Sequence, residues 1–258
     1  MQVDSTKISE LVRIHHADFE DDIPYWIRQT EGDDPILEIG CGHGRVTLPL
    51  IAAGRVLVGV DKDSESLSYL RTYLGGIDDE TRKRISLIEA DILDYQPKTS
   101  FGVVIIPCNT YSTFCPEDRP RLLRKVYSWL KEDGVLIASL PNPQQTKEIF
   151  SGLHENERND EPDLEKVITH PETDFPVQVS SRLRATRDSL FWDWIYDHLH
   201  PNGQVERFVV TVEHFPRSTV EVLAELEEGG FSDVLCQGDY SGEQFKDSSP
   251  YLILICRK

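Results

Sequence analysis

Apolar positions Leu11, Ile14, Ile23, Trp26 and Ile27 surround an acidic middle, Asp18 to Asp22, which predicts one or two helices between Ser9 and Thr30, broken near Pro24. From there the pattern changes to short apolar runs separated by amphipathic stretches. Ile36–Gly40, Arg55–Asp61, Ile85–Glu89, Phe101–Pro107 and Val135–Leu140 read as five strands. Their nearly unbroken apolar character suits parallel strands covered on both faces. Between them Val46–Ala53, Glu65–Leu74 and Glu117–Leu130 carry helical spacing, ended by Gly54, Gly75-Gly76 and the Asp133-Gly134 turn. Strict alternation of strand and helix means a parallel sheet with helices on both faces.

The rhythm breaks after Pro141-Asn142-Pro143, which closes the fifth strand. His154 to Pro176 is polar, acidic and proline-containing, and reads as loop. Val177–Thr186, Ser189–Leu199 and Gln204–Glu213 then read as three strands of an antiparallel meander, with Asn202-Gly203 a strong hairpin turn. In the middle strand Trp192, Trp194, Tyr196, His198 and His200 share one face by period-two alternation. A helix at Ser218–Gly229 opens on a Ser218-x-x-Glu221 capping box, and Phe231–Cys236 and Tyr251–Cys256 supply the sixth and seventh strands. The expected organisation is a single domain: an N-terminal helical cap at 1–32, a core at 33–143 and 214–258, and an insertion at 144–213.

The chemistry concentrates where the first strand ends. Gly40, Gly42 and Gly44 allow a tight turn and close approach of a ligand, followed by a helix start. A dinucleotide fingerprint needs its third glycine three places after the second, and Arg45 stands there. Glu38 lies in an apolar strand, where a buried carboxylate needs a partner, either a ligand or another group of the protein. Asp61 ends the second strand 17 residues after Gly44, and its two oxygens match a vicinal diol.

Glu38-Ile39-Gly40-Cys41-Gly42-His43-Gly44 resembles the first motif of class I S-adenosylmethionine-dependent methyltransferases, and the later motifs follow in order. Ala90-Asp91-Ile92 resembles the third. Cys108-Asn109-Thr110-Tyr111 resembles the fourth in the N-T-F/Y form of small-molecule enzymes, and Gly238–Glu243 resembles their G-D-Y/F-D-G-type loop. The resemblance implies a Rossmann-like, seven-stranded, mostly parallel sheet of order 3-2-1-4-5-7-6. Its last strand is antiparallel, and an antiparallel β lid follows strand 5. The implied cofactor is S-adenosyl-L-methionine, with S-adenosyl-L-homocysteine as product. By the same resemblance Glu38 faces the methionine amino end, Gly40, Cys41, Gly42 and Gly44 form the turn, and Asp61 with Lys62 meets the ribose. Asp91 and the Ile92 N–H meet the adenine, and Cys108 and Tyr25 (with Trp26) complete the cofactor contacts. Asn109, Tyr111, Trp194 and Tyr196 are candidates for acceptor binding, and Tyr111, His198 and His200 for a general base. Each has a plainer reading: Tyr25 and Trp26 dock a helix, Asp91 caps a turn, Asn109 satisfies a strand end, and the aromatics pack on the core.

Composition narrows the partners. A net charge of −18 argues against a nucleic-acid surface and an anionic membrane. Acids spread along the whole chain fit a solvated or salt-adapted surface. No apolar run of about 18 residues exists, the N-terminus lacks the apolar core of a signal peptide, and the five cysteines form no C-x-x-C pair. A cytoplasmic protein with reduced thiols is expected. His198-x-His200 has metal-ligand spacing, but no neighbouring cysteine or acid cluster in the sequence completes a set, so no metal is expected. The expected reaction is in-line methyl transfer to a small-molecule N or O acceptor. The alternatives are a catalytically silent cofactor- or partner-binding module, and a nicotinamide oxidoreductase favoured by Asp61 but disfavoured by Arg45. Monomer and homodimer stay open.

Overall fold

The computed structural model describes residues 5–32, 34–155 and 161–258. Its first half runs α1 (Ser5–His16), α2 (Ile23–Gln29), β1 (Ile36–Ile39), α3 (Thr47–Ala52), β2 (Leu57–Asp61), α4 (Ser64–Gly75), α5 (Asp79–Arg82), β3 (Ile85–Glu89) and β4 (Phe101–Ile106). After a 3-10 turn at Thr110–Thr113 come α6 (Arg119–Trp129), β5 (Leu130–Pro141), α7 (Pro143–Glu155), β6 (Asp163–Thr169), β7 (Pro176–Ala185), β8 (Leu190–Leu199) and β9 (Val205–His214). The chain ends with α8 (Thr219–Glu228), β10 (Asp233–Gln237) and β11 (Tyr251–Arg257). These elements fall into two compact units, Met1–Phe19 with Lys147–Pro216, and Glu20–Thr146 with Arg217–Lys258.

The larger unit holds a seven-stranded sheet in the order β10-β11-β5-β4-β1-β2-β3. β1 through β5 pair in parallel, and β11 runs antiparallel to both β5 and β10. This is the expected 3-2-1-4-5-7-6 order. One face is covered by Leu122, Leu123 and Val126 of α6 and Leu226 of α8. The other is covered by Trp26 of α2, Leu50 and Ile51 of α3, and Leu70 and Leu74 of α4. Burial on both faces is why the strands read as continuous apolar runs. Strand order reverses between β1 and β4, and in open α/β sheets the crevice at that reversal, outside the carboxyl ends, is where ligands bind.

Helix boundaries follow local chemistry. Pro24 and Pro120 sit in the first turns of α2 and α6, where a missing N–H costs nothing. Asp63 caps α4 by accepting the Glu65 N–H, and Ser218 with Glu221 forms the capping box of α8. One element was not expected. Pro141-Asn142-Pro143 not only closes a strand but starts α7: Asn142 Oδ1 accepts the Gln144 N–H at 2.8 Å. An N-capping Asn followed by proline is a helix start that the strand reading obscured.

The smaller unit is a four-stranded antiparallel sheet, β6-β7-β8-β9, where three strands were expected. The added strand, β6, lies inside the stretch read as loop, of which 156–160 fall outside the described residues. Among the described residues β6 pairs only with β7, its register shifts between Leu164 and Lys166, and Leu164 and Val167 face solvent. An edge strand carrying Asp163, Glu165 and Lys166 lacks the apolar alternation that marks a half-buried strand. The other side of the sheet carries the first helix, a packing the sequence did not point to. α1 packs Leu11 onto Val177, Val179, Tyr196 and Phe208. Asp193, 1% exposed, accepts hydrogen bonds from Arg182, Arg184 and Thr211, which hold its carboxyl far below the usual range.

Candidate active site

The turn after β1 takes its shape from three glycines in the left-handed region, with φ of 78° at Gly40, 50° at Gly42 and 89° at Gly44. Packing also selects two of them. A Cβ on Gly40 would stand 2.8 Å from Thr110 Cγ2, and one on Gly44 would stand 2.6 Å from Leu70 Cδ1. At Gly42 the nearest atom is Asp61 Oδ2 at 3.9 Å, so open space for a ligand lies there alone among the three. Thr110 against Gly40 also brings the loop after β4 onto the turn, so both edges of the crevice at the strand reversal are in place.

Glu38, 1% exposed on β1, accepts the Thr47 hydroxyl at 2.6 Å. Burial pushes its carboxyl up to about 8, against the opposing effects of that hydrogen bond and of Arg45. Arg45 makes a two-pronged ion pair with Asp22 at 2.6 and 2.7 Å, and Asp22 also accepts the Trp26 indole N–H at 2.9 Å. Asp22 is fully buried, so the pair ties α2 to the glycine turn. Arg45 reaches Cys108 Sγ as well, across the crevice. Asp22 and Thr47 were not singled out from the sequence. Asp22 looked like one acid among several in Asp18–Asp22, and only the fold shows it buried.

Asp61 ends β2 with both oxygens set by backbone donors: Oδ2 accepts the Gly42 N–H at 2.7 Å and Oδ1 the Asp63 N–H at 2.9 Å. Each oxygen keeps a lone pair for a diol hydroxyl. Lys62 beside it is exposed. Asp91 follows β3, is exposed, and accepts the Leu93 N–H at 2.8 Å through Oδ1, while Ile92 is buried. The turn-capping reading of Asp91 therefore holds, without using its second oxygen. Cys41 is buried behind the turn against Gly59.

The loop after β4 is strained. Cys108 and Asn109, neither a glycine, have φ of 58° and 60°. Asn109 Oδ1 is buried with no hydrogen-bond partner among the described residues, an acceptor that a ligand donor can satisfy. The candidate base Tyr111 is placed otherwise. Its ring is 1% exposed in the core, its phenol donates to Glu225 Oε2 at 2.9 Å, and Arg119 lies 5.1 Å from its ring centre. Arg119 also bonds the Phe114 and Ser112 carbonyls, so Tyr111, Arg119 and Glu225 anchor the loop that presents Asn109. Burial and the Glu225 charge push the Tyr111 phenol upward, away from any role as a base near neutral pH. Tyr25 likewise is 1% exposed, donates to Gln237 Oε1 at 2.9 Å and meets Trp26 and Tyr240 edge-on, the contacts of a helix-docking residue.

The remaining candidates belong to the smaller unit. Trp194 and Tyr196 face α1, and the Tyr196 hydroxyl, fully buried, meets His15 Nδ1 at 3.0 Å. Burial lowers His15 to about 3, so it is a neutral imidazole. These aromatics form that unit's core, as the plainer reading had it. His198 lies near the C-terminal end of β8 and His200 just beyond it, with ring centres 4.4 Å apart.

Residues 36–134 match a family model described as a methyltransferase domain. Over that stretch the chain is similar to methyltransferase domains, and its sheet has the class I fold of S-adenosylmethionine-dependent methyltransferases. A carboxy-S-adenosyl-L-methionine synthase of Chromohalobacter salexigens is 32% identical over 135 residues, 48% of this chain and 47% of that one. The matched stretch thus spans about half the length of that curated relative. Solved structures resemble nearly the whole chain. An S-adenosylmethionine-dependent methyltransferase from Clostridium acetobutylicum superposes with a TM-score of 0.74 at 15% identity, covering 98% of each chain. A sugar N-methyltransferase from a Streptoalloteichus species gives 0.70 at 16% identity, covering 96% of this chain and 92% of its own. Among the described residues no helix is long and apolar enough to cross a membrane.

Proposed function

We propose that the chain is an S-adenosylmethionine-dependent methyltransferase with a small-molecule nitrogen or oxygen acceptor. The observation that carries the reading is Asp61, its two oxygens ordered by the Gly42 and Asp63 N–H groups beside the one open glycine of the turn. Those oxygens fit a ribose diol, buried Glu38 fits an ammonium group, and Asp91 with the Ile92 N–H fits an adenine edge. S-adenosylmethionine supplies an electrophilic methyl group on a sulfonium.

The protein's part is binding and alignment. Glu38 and Asp61 hold the methionine end and the ribose of the donor, and Asp91 with the Ile92 N–H its adenine end. Asn109 Oδ1, fixed on its strained loop, accepts a hydrogen bond from the acceptor and orients the attacking lone pair. Holding donor and acceptor in line, away from water, supplies most of the acceleration, with no covalent enzyme intermediate. A neutral amine needs no further group, and with Tyr111 tied to Glu225 an amine is favoured over a hydroxyl, which would need a base. The sugar N-methyltransferase neighbour agrees with that choice of acceptor.

Calorimetric titration with S-adenosylmethionine and S-adenosylhomocysteine, with Asp61→Ala as comparison, tests the reading. Binding that the variant weakens at least tenfold supports it, since two hydrogen bonds to a charged group are each worth about 1.5–3 kcal/mol. Folded protein that binds neither compound overturns it and returns the nicotinamide and partner-module readings. A second reading, chemistry on the cofactor itself, is favoured by the relative that makes carboxy-S-adenosylmethionine. Mass spectrometry separates them: S-adenosylhomocysteine released in step with a methylated acceptor, against a carboxylated cofactor.

A further inference from the structure

The hairpin joining β8 to β9 assembles what the sequence left incomplete. Antiparallel pairing sets His198 directly opposite Glu206, and His200 lies two residues along the same face. The His200 N–H bonds the Gln204 carbonyl at 2.8 Å, which fixes the turn and the register with it. One donor atom from each of His198, His200 and Glu206 lies within 4.8 Å of the others, and His200 Nε2 is 3.5 Å from Glu206 Oε2. In a tetrahedral site with bonds of about 2.0–2.1 Å, two ligand atoms stand about 3.4 Å apart. His200 and Glu206 are thus at spanning distance already, and a small side-chain rotation brings in the third group.

We infer that His198, His200 and Glu206 bind a divalent transition-metal ion such as zinc(II), cobalt(II) or nickel(II), leaving a fourth position for water. Two imidazoles and one carboxylate favour these ions over magnesium or calcium, which take oxygen ligands. The surroundings match. His198 Nε2 lies 3.0 Å from the Thr173 hydroxyl, an outer contact of the kind that orients a ligating ring. His170 stacks on His198 at 4.7 Å with the planes 5° apart, which holds the ring in place. A groove of about 620 Å³ lined by His200, Pro201, Asn202, Gln204, Val205 and Glu206 gives an ion a way in. Lys7 Nζ sits 3.2 and 3.3 Å from the two Glu206 oxygens, a cation on the carboxylate that a metal has to displace.

Titration of tag-free protein with zinc chloride by calorimetry, and with cobalt(II) followed by visible absorption, tests the site. The expected result is one ion per chain with four-coordinate cobalt bands. His200→Ala and Glu206→Gln should each weaken it at least tenfold while melting as the unaltered protein does. Lys7→Met should tighten it severalfold. No binding at micromolar metal, or binding that His200→Ala and Glu206→Gln leave unchanged, overturns the inference. Should either variant fail to fold, histidine NMR of the unaltered protein decides: zinc-induced shifts at His198 and His200 support the site, and shifts confined to other histidines refute it.

Discussion

Glu38→Gln tests the electrostatics of the turn directly. The carboxyl is 1% exposed and titrates near 8 in the folded, ligand-free protein, against 4.5 for the ordinary group. Between those values the native protein keeps a proton that the unfolded chain has lost. Stability therefore falls as pH rises, by about 1.4 kcal/mol per unit, levelling off above about pH 8. Integrated, the loss is at most about 5 kcal/mol, of which about 3 kcal/mol falls between pH 5.5 and 8. Glutamine keeps an acceptor for the Thr47 hydroxyl and cannot ionise. Urea unfolding of both proteins at pH 5.5 and 8, without ligand, should show the variant gaining about 3 kcal/mol relative to the parent over that range. Parallel pH curves refute the reasoning: they would mean that Arg45 and Thr47 keep Glu38 ionised despite its burial. Cofactor binding carries a second signature. An ammonium placed beside Glu38 should expel close to one proton at pH 7, visible as a buffer-dependent calorimetric enthalpy.

Asp22→Ala removes the carboxylate that pairs with Arg45 and accepts the Trp26 N–H, and should cost about 3–5 kcal/mol in chemical unfolding; a loss below 1 kcal/mol would show that the pair does not tie α2 to the turn. Tyr111→Phe keeps the ring and removes the bond to Glu225, so a loss of about 1–2 kcal/mol in stability with kcat within a factor of two is expected. A collapse of kcat in folded Tyr111→Phe would restore the phenol as a catalytic group. Gly44→Ala pushes a methyl into Leu70 at a φ of 89°, and should lower stability by at least about 1–3 kcal/mol in a melting experiment.

The sheet and the glycine turn at its edge were legible because their signals are local. Buried parallel strands must be apolar throughout, a turn with three left-handed residues must be glycine-rich, and an acid at a strand's carboxyl end stands out against its neighbours. Glu38, Asp61 and the capping box needed no knowledge of distant residues. β6 escaped because an edge strand has one partner and solvent on its outer side, so charge is tolerated where alternation was sought. α7 escaped because one proline-flanked asparagine serves both as strand end and as helix cap.

The tertiary structure alone decided which polar groups meet. Asp22 was one acid in an acidic run until folding buried it against Arg45, and Tyr111 had the spacing of a substrate contact until α8 brought Glu225 to its hydroxyl. His198 and His200 lacked an acid in sequence until the β8–β9 register set Glu206 opposite. Sequence period fixes which face a side chain takes, because that follows from backbone geometry. Who stands across from it depends on register and packing between segments far apart in the chain, and no local pattern encodes that.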